Sequence, residues 1–193
     1  MAKGQSRTTT PSLVQRAINL AVQMEYIGSP SIETGRLLQL LASQYQSGVI
    51  GELATGCGVA TAWIVSALSP ATSFFTVDSN ETRSAAVRAM FNQSLNVRVM
   101  HGSWRDLSES WRFNMLFAGY NSQRTAVPKV LLDSLREGGL IVFDGLPPHE
   151  RITLSAQSDA KQVRDYWHSQ PGVYAIELGV SPRESVLLAT RCR

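Results

Sequence analysis

The stretch Val49–Thr61, VIGELATGCGVAT, decides the fold of this chain. An apolar, β-branched run leads to Glu52, the glycines Gly56 and Gly58 follow, and a helix-forming run comes next. Glycine takes a positive φ without a Cβ penalty, and the first amide groups of a helix have no intrahelical partner. The pattern therefore predicts a strand, a tight turn and a helix that together form a nucleotide-type site, although a turn without a ligand would have the same glycines.

The residues around this turn narrow the choice of ligand. A dinucleotide-binding fingerprint would have a third glycine at position 61, where this chain has Thr61. Glu52 lies just before the turn, where a carboxylate would repel a pyrophosphate but would pair with an ammonium group. S-adenosylmethionine carries such a group, so the turn favours this methyl donor over a nicotinamide cofactor.

Two further strands are predicted to bring polar groups to the same edge of the sheet. The run Phe74–Val77 leads to Asp78, about 20 residues after the turn, where a parallel sheet places a carboxylate that accepts hydrogen bonds from ribose hydroxyls. Asp78 could instead belong, with Ser79 and Asn80, to the N-cap of the next helix. The strand Val97–His101 ends at residues predicted to reach the adenine edge, with an aromatic ring over the base: Gly102, Ser103 and Trp104.

From about residue 30 to the C-terminus, the chain resembles the class I S-adenosylmethionine-dependent methyltransferases, and within them the catechol and caffeoyl-CoA O-methyltransferase-like branch. The helix pattern Ser31–Leu38 resembles the segment that covers the donor in that branch. The other residues that carry the resemblance are Glu52–Gly58, Leu68–Pro70, Thr76–Asp78, His101–Ser103 and Glu137–Asp144. The resemblance implies S-adenosylmethionine as cofactor, bound by Glu52, Gly56, Gly58, Asp78, Gly102, Ser103 and Trp104.

The acceptor pocket is expected where the fourth and fifth strands end, because ligands of open α/β sheets lie beyond the carboxyl ends of the strands. In the resembled branch these ends supply a divalent-metal site, with an acidic residue at position 119 and an Asp-Asn pair at positions 144 and 145. This chain has Gly119, Asp144 and Gly145. One carboxylate, even with an oxygen from Asn121, is a poor start for the octahedral coordination of Mg²⁺, so we expect methyl transfer without a metal.

Methyl transfer to a hydroxyl without a metal requires a base for the acceptor's proton and an acceptor held in line with the methyl group. The candidate bases are Asp144 and His149, and Tyr120 is expected to orient the acceptor. His149 has an ordinary pKa near neutrality, although it could be an exposed loop residue behind two prolines. Asp144 could instead only hydrogen-bond the donor or its own loop. His101 and His168 are assigned to the scaffold.

Length and composition indicate one domain. The 193 residues, 44% of them hydrophobic, suit a single core over residues 11–193, with residues 11–47 as a helical lid. Residues 1–10 are polar, are expected to form a disordered tail, and lack the apolar core of a signal peptide. No apolar stretch approaches the length of a membrane span, and Cys57 and Cys192 form neither a disulfide framework nor a metal cluster. A cytoplasmic protein is the default expectation.

The net charge of +3 is modest, and most of the basic residues are scattered arginines. Arg83, Arg88 and Arg98 could form a small basic patch, but no basic run interleaved with aromatic residues accompanies them. They are interpreted as solvated surface, and a nucleic-acid partner is not favoured. The sequence leaves the oligomeric state open, a homodimer included.

Apolar periodicity predicts strands that alternate with helices. Helices are expected over residues 12–24, 32–46, 60–68, 81–92, 126–136 and 158–169, and strands near residues 49, 74, 97, 113 and 140 and over 173–178 and 185–190. Only residues 179–184 join the last two strands, which is too short for a parallel crossover, so these strands must be antiparallel. The predicted fold is a doubly wound α/β sheet of seven mostly parallel strands, Rossmann-like, with a C-terminal antiparallel strand.

The expected function is the methylation of a hydroxyl group on a small-molecule acceptor, with S-adenosylmethionine as donor and without a divalent metal. Three alternatives stay open. One is a non-catalytic protein that binds S-adenosylmethionine, and another is an RNA-modifying methyltransferase, whose affinity for RNA would fall steeply with salt. The third is a nicotinamide-dependent oxidoreductase, which Glu52 and Thr61 disfavour.

Overall fold

The structure, a computed structural model, describes residues 10–119, 127–147 and 157–192. Within these ranges one sheet has helices packed on both faces. The helices are α1 (Ser12–Gln23), α2 (Ile32–Ala42), α3 (Val59–Val65), α4 (Glu81–Met90), α5 (Trp104–Ser110), α6 (Pro128–Ser134) and α7 (Gln157–Ser169). The strands are β1 (Gly48–Leu53), β2 (Thr72–Asp78), β3 (Val97–His101), β4 (Phe113–Ala118), β5 (Leu135–Leu146), β6 (Val173–Ser181) and β7 (Glu184–Arg191).

The seven strands lie in the order β3-β2-β1-β4-β5-β7-β6. The first five strands in this order are parallel to one another, whereas β7 is antiparallel to both β5 and β6. The predicted fold class is therefore confirmed, including the antiparallel C-terminal strand. The strand order reverses between β1 and β4, so the glycine turn after β1 lies at the topological switch point, where open α/β sheets bind their ligands.

Both faces of the sheet carry a core because successive strand residues point to opposite sides. On β5, Phe143 packs in a cluster with Trp167 of α7, whereas the adjacent Val142 belongs to a second cluster with Leu38 of α2. A third cluster joins α1 to α3 and α4, and its fully or nearly fully buried members include Val14, Ala17, Trp63 and Val87. This third cluster anchors α1, and the segment that follows α1 leads across the strand ends.

Local signals explain where the helices beside the site begin. The Asn80 side chain accepts a hydrogen bond of 2.9 Å from the Arg83 amide at the start of α4, and Ser31 accepts one of 3.2 Å from the Thr34 amide at the start of α2. A Cβ on Gly35 would lie 2.1 Å from the Trp63 indole nitrogen, so a glycine is needed where α2 crosses α3.

None of the described helices is long and apolar enough to cross a bilayer.

Several predicted boundaries are wrong. The predicted second, third and fourth helices continue two to four residues past their observed ends. Leu135 and Arg136 were expected in a helix but belong to β5, because Leu135 pairs with Phe113 of β4. Helix α5 was not predicted. Its signal is a capping box in which the Ser103 hydroxyl and the Asp106 carboxylate each accept a hydrogen bond from a backbone amide of the first turn. The predicted tail, residues 1–10, lies outside the described residues except for residue 10.

Candidate functional site

The turn after β1 has the left-handed backbone that the sequence predicts. Gly56 has a φ of +57° and Gly58 a φ of +79°. Ala54 also has a positive φ, +62°, although it has a side chain. The Ala54 and Thr55 amides donate hydrogen bonds of 2.9 and 3.2 Å to the Val77 carbonyl, which ties the turn to β2. The glycine turn is therefore fixed against the strand that carries Asp78.

The space around the two glycines is filled partly by the chain itself. A Cβ on Gly56 would lie 2.6 Å from the Tyr26 ring and hydroxyl. A Cβ on Gly58 would lie 3.0 Å from a methyl group of Val87 on α4. The turn therefore requires glycine for its backbone conformation and for internal packing, in addition to any need to admit a ligand.

Glu52 is buried at the end of β1, with a side chain that is only 1% exposed. The Thr61 hydroxyl donates a hydrogen bond to its carboxylate, and Thr76 provides another. Burial nevertheless raises the pKa of Glu52 to about 7, because loss of hydration outweighs these hydrogen bonds and the carboxylates of Asp78 and Asp144 add repulsion. A cationic ligand beside Glu52 would keep it ionised. The predictions assigned no role to Thr61, which stands where a dinucleotide fingerprint would have glycine.

Asp78 joins the turn to the first turn of α4. Its carboxylate accepts hydrogen bonds of 2.8 Å from the Gly56 amide and from the Asn80 amide, and it forms an ion pair of 2.8 Å with Arg83. The side chain that caps α4 belongs to Asn80. Of the three residues in the alternative N-cap interpretation, the cap is therefore Asn80, and the Asp78 carboxylate lies against the glycine turn.

A cavity of about 630 Å³ opens beside Asp78. Four predicted donor-site residues line it: Asp78, Gly102, Ser103 and Trp104. The cavity is also lined by Tyr26, Arg83 and His101, which the predictions did not assign to the site. Arg83 was interpreted as solvated surface, and that interpretation is wrong. A signal for it existed, because a residue in the first turn of α4 projects its side chain back toward the helix N-terminus and hence toward Asp78.

Ser103 and Trp104 begin α5 instead of forming an extended turn. The Ser103 amide donates a hydrogen bond of 2.7 Å to the Asp106 carboxylate, and the Ser103 hydroxyl accepts one of 3.2 Å from the Arg105 amide. A Cβ on Gly102 would lie 2.7 Å from the same Asp106 carboxylate. The helix cap therefore fixes this edge of the cavity, and contact with an adenine ring stays a prediction.

A second and much smaller cavity lies next to Glu52. Its volume is about 20 Å³, which suits little more than one water molecule. It is lined by Glu52 and Asp144 and by the segment between α1 and α2, including Tyr26, Ser29 and Pro30. Tyr26 lines both cavities. The predicted donor-site residues thus line two neighbouring cavities, a larger one beside Asp78 and a smaller one beside Glu52, and both cavities are lined by Tyr26 and Ala54.

Asp144 is buried near the end of β5 with 5% exposure, and it lines the smaller cavity together with Glu52. A Cβ on Gly119 would lie 3.7 Å from one Asp144 carboxylate oxygen, so an acidic residue at position 119 would stand beside Asp144. Gly145 has a φ of +70°. Within residues 10–119, 127–147 and 157–192, no group of three or more His, Cys, Asp or Glu residues is arranged to hold a metal ion.

Three of the predicted acceptor-site residues, Tyr120, Asn121 and His149, lie outside the described residues. Their assigned roles therefore stay predictions.

Among the arginines of the predicted basic patch, Arg88 donates a hydrogen bond of 3.0 Å from Nε to the Val99 carbonyl. Arg88 is exposed, whereas Arg83 is half-buried and forms an ion pair with Asp78.

No protein-family model matches this sequence. A search of curated proteins gave no match. The chain is nevertheless similar to solved structures. An O-methyltransferase from Bacillus cereus in complex with S-adenosylhomocysteine is 19% identical with a TM-score of 0.82, over 96% of this chain and 93% of that one. The O-methyltransferase TomG from Streptomyces achromogenes, in complex with S-adenosylmethionine, is 18% identical with a TM-score of 0.80, over 96% and 92%.

A methyltransferase from Podospora anserina with bound S-adenosylhomocysteine is 15% identical with a TM-score of 0.78, over 95% of this chain and 89% of that one. These likenesses cover almost the whole of each chain. They show that this chain has the fold of the S-adenosylmethionine-dependent methyltransferases, which confirms at the level of the fold the resemblance that the sequence motifs indicated.

Proposed function

We propose that this protein is a methyltransferase that transfers a methyl group from S-adenosylmethionine to a hydroxyl group of a small molecule, without a divalent metal. The observation that carries the proposal is the burial of three carboxylates at the strand ends, Asp78 beside the larger cavity and Glu52 and Asp144 beside the smaller one. Buried carboxylates favour a cationic ligand and disfavour a pyrophosphate. Solved O-methyltransferases with the same fold support the same class of function.

The donor fits the two cavities unequally. The cavity of about 630 Å³ lies within the range of about 300–1,000 Å³ that is common for ligand pockets, and we assign the adenosine moiety to it. Asp78 would accept a hydrogen bond from the ribose, Trp104 would cover the base, and the backbone of Gly102 and Ser103 would border its edge. The carboxylate of Glu52 would pair with the ammonium group.

The methionine moiety requires the smaller cavity to open. A volume of about 20 Å³ does not admit it, so the segment between α1 and α2, which includes Tyr26 and Pro30, has to move outward. This is the role that we propose for residues 11–47 as a lid. The backbone of Gly56 and Gly58 would then border the donor from below.

When bound, S-adenosylmethionine supplies an electrophilic methyl group on its sulfonium centre. Asp144 lines the same small cavity as Glu52, which supports its proposed role as the base that takes the proton of the acceptor hydroxyl. Tyr120 is the residue that we expect to orient the acceptor, and His149 is the alternative base. Burial of Asp144 keeps bulk water away from this proton transfer.

We propose a metal-free reaction because the positions beside Asp144 are glycines, which have no side chain to bind a metal. Gly119 and Gly145 stand where the resembled branch has ligand side chains, and an octahedral cation needs more oxygen ligands than one carboxylate provides. We expect turnover to be unchanged by EDTA and by added Mg²⁺ or Mn²⁺. A rate that EDTA abolishes and metal restores would contradict this part of the proposal.

The experiment for the whole proposal combines binding and turnover. S-adenosylhomocysteine at 100 times its Kd should stabilise the protein by about 2.7 kcal/mol, whereas NAD should leave the melting temperature unchanged. Release of S-adenosylhomocysteine from S-adenosylmethionine is then measured across a panel of phenolic and aliphatic hydroxyl compounds. If NAD stabilises the protein and S-adenosylhomocysteine does not, the result would contradict the proposal and indicate a nicotinamide-dependent oxidoreductase.

Two other outcomes identify the remaining alternatives. Donor binding without turnover on any acceptor would indicate a non-catalytic binding protein. Affinity for RNA that falls steeply between low and physiological salt would indicate an RNA-modifying enzyme, because phosphate contacts release counterions. A small-molecule acceptor as partner and a cytoplasmic location are parts of the proposal, and cell fractionation tests the location.

A further inference from the structure

The Asp78 carboxylate has little hydrogen-bonding capacity left for a ligand. One of its oxygens, Oδ1, accepts from the Asn80 amide and from Arg83, both at 2.8 Å. The other oxygen, Oδ2, accepts from the Gly56 amide at 2.8 Å. An ionised carboxylate offers about four lone-pair sites, so these three bonds leave about one site, on Oδ2.

A ribose has two neighbouring hydroxyl groups, and both lose their hydrogen bonds to water when adenosine enters a cavity. One hydroxyl can donate to the remaining site on Asp78. The second hydroxyl needs another partner, because a buried polar group without one costs about 1–3 kcal/mol. Its oxygen can accept a hydrogen bond as well as donate one.

Arg83 lies where that second partner is needed. It lines the cavity next to Asp78, and its side chain is 28% exposed. Its guanidinium carbon lies 5.2 Å from the centre of the Tyr26 ring, so the group is held between the ring and the carboxylate. Its Nε atom is buried and has no hydrogen-bond partner among the described residues.

This unpaired Nε distinguishes Arg83 from a surface arginine. A guanidinium has five N–H donors in a fixed plane, and one of these bonds already goes to Asp78. An N–H group that is buried without an acceptor favours a small shift of the guanidinium once an oxygen enters the cavity. A ribose hydroxyl beside Asp78 provides such an oxygen.

We propose that Arg83 binds the ribose of the donor, donating a hydrogen bond to one hydroxyl while Asp78 accepts a hydrogen bond from the other. The inference rests on the proposed function, since it places adenosine in the cavity beside Asp78. In this proposal Arg83 and the Asp78 carboxylate together bind the two neighbouring hydroxyl groups of the ribose.

The test is a cycle of ligand and residue changes, measured by calorimetry. The ligands are S-adenosylhomocysteine and its 2′-deoxy and 3′-deoxy analogues, and the proteins are the wild type and Arg83→Met. In the wild type each deoxy analogue should bind roughly tenfold more weakly than the parent ligand, because each lacks one hydrogen bond to a charged group. In Arg83→Met the parent ligand should itself bind roughly tenfold more weakly.

The two analogues should then separate. For Arg83→Met, one deoxy analogue should bind as well as the parent ligand, because the hydroxyl that it lacks has already lost its partner. The other analogue should keep its wild-type penalty, since Asp78 still accepts from that hydroxyl. Penalties that are unchanged for both analogues would overturn the proposal, and so would penalties that vanish for both, because Arg83 would then act only by holding Asp78.

Two further variants separate this role from effects on folding. Arg88→Met changes an arginine of the same helix that bonds the Val99 carbonyl outside the cavity, and its affinity ratios should match the wild type. Arg83→Lys keeps a positive charge beside Asp78 but lacks the planar fork, and it should show the same separation of the analogues with a smaller factor. If the wild type does not bind S-adenosylhomocysteine, the proposed function is wrong, and this inference is wrong as well. If the wild type binds it but the analogues do not separate in Arg83→Met, only this inference is wrong.

Discussion

The strand ends on the two sides of the switch point carry different chemistry. After β1 and β2, the acidic side chains of Glu52 and Asp78 are held by threonine hydroxyls, backbone amides and Arg83. After β4 and β5, the corresponding positions have Gly119 and the pair Asp144-Gly145. We expect the first side to form a preformed binding site, whereas the second side has one buried carboxylate among the described residues.

This difference has a physical reason. A donor common to many reactions needs the same contacts each time, and hydrogen bonds from the backbone of a turn provide them with little reorganisation. An acceptor differs from enzyme to enzyme, so its contacts belong to loops that vary without disturbing the sheet. We therefore expect substitutions on the two sides to separate the chemical step from donor binding.

The largest effect is expected on the acceptor side, for Asp144→Asn. Loss of a general base typically lowers a rate by about 10²–10⁴-fold, and the amide of asparagine cannot take the proton. Turnover of an accepted substrate should fall by that factor, while the Kd of S-adenosylhomocysteine changes by only a few-fold. The control is Asp133→Asn, which removes an exposed carboxylate paired with Lys129 on α6. A variant at position 144 that keeps wild-type turnover would remove Asp144 from the chemistry.

The second effect joins binding to stability, for Glu52→Gln. The pKa of Glu52 is about 7 in the folded protein against an ordinary value of 4.5, so the folded protein holds a proton that the unfolded chain releases between these values. The free energy of unfolding therefore falls as pH rises through this window, by about 3 kcal/mol at most. Glutamine is not subject to this loss. The variant should be more stable than the wild type above pH 7 and equal to it below pH 4.5.

The same variant should bind the donor more weakly, because the ammonium group loses its carboxylate. Urea denaturation at pH 5 and pH 8 measures the stability, and calorimetry measures the affinity. Glu137→Gln, which changes an exposed residue of β5, should affect neither. An equal free energy of unfolding for Glu52→Gln and the wild type at pH 8 would show that Glu52 is not destabilised by burial.

A third prediction concerns Asp78→Ala. Donor affinity should fall by about 1.5–3 kcal/mol, because hydrogen bonds to a charged group contribute in this range. Calorimetry with S-adenosylhomocysteine measures the change. Asp165→Ala serves as the control, since it removes an exposed carboxylate of α7 that pairs with Lys161. Unchanged affinity in Asp78→Ala would remove this residue from the donor site and abolish the difference between the two sides.

The smallest expected effect concerns the backbone of the glycine turn, for Ala54→Gly. A left-handed backbone costs a residue with a Cβ about 1–2 kcal/mol, and the greater freedom of glycine in the unfolded chain offsets part of the relief. The free energy of unfolding should rise by about 0.5–1 kcal/mol. Ala85→Gly on the exposed face of α4 should have the opposite sign, with a loss of about 1 kcal/mol. Destabilisation by Ala54→Gly would show that the turn is not strained.

How far the sequence predicts the site depends on the range of each signal. The strand, turn and helix around Gly56 were predicted correctly because apolar period and glycine spacing are local properties. Helix α5 also has a local signal, the Ser103 and Asp106 capping box. This helix was missed because Trp104 was interpreted as a loop residue whose ring covers the adenine. The packing of Gly58 against Val87 has no local signal, since these residues are 29 positions apart.

The sequence by itself determined the order of the strands and of the helices other than α5, the antiparallel ending of the sheet, and the acidic residues at the strand ends. These features depend on hydrophobic period, turn length and residue type, which are readable along the chain. Only the tertiary structure decided that the Thr61 hydroxyl donates a hydrogen bond to Glu52 and that the Tyr26 ring lies over Gly56. Strand register and helix packing bring these groups together, and neither is written in the spacing of any one segment.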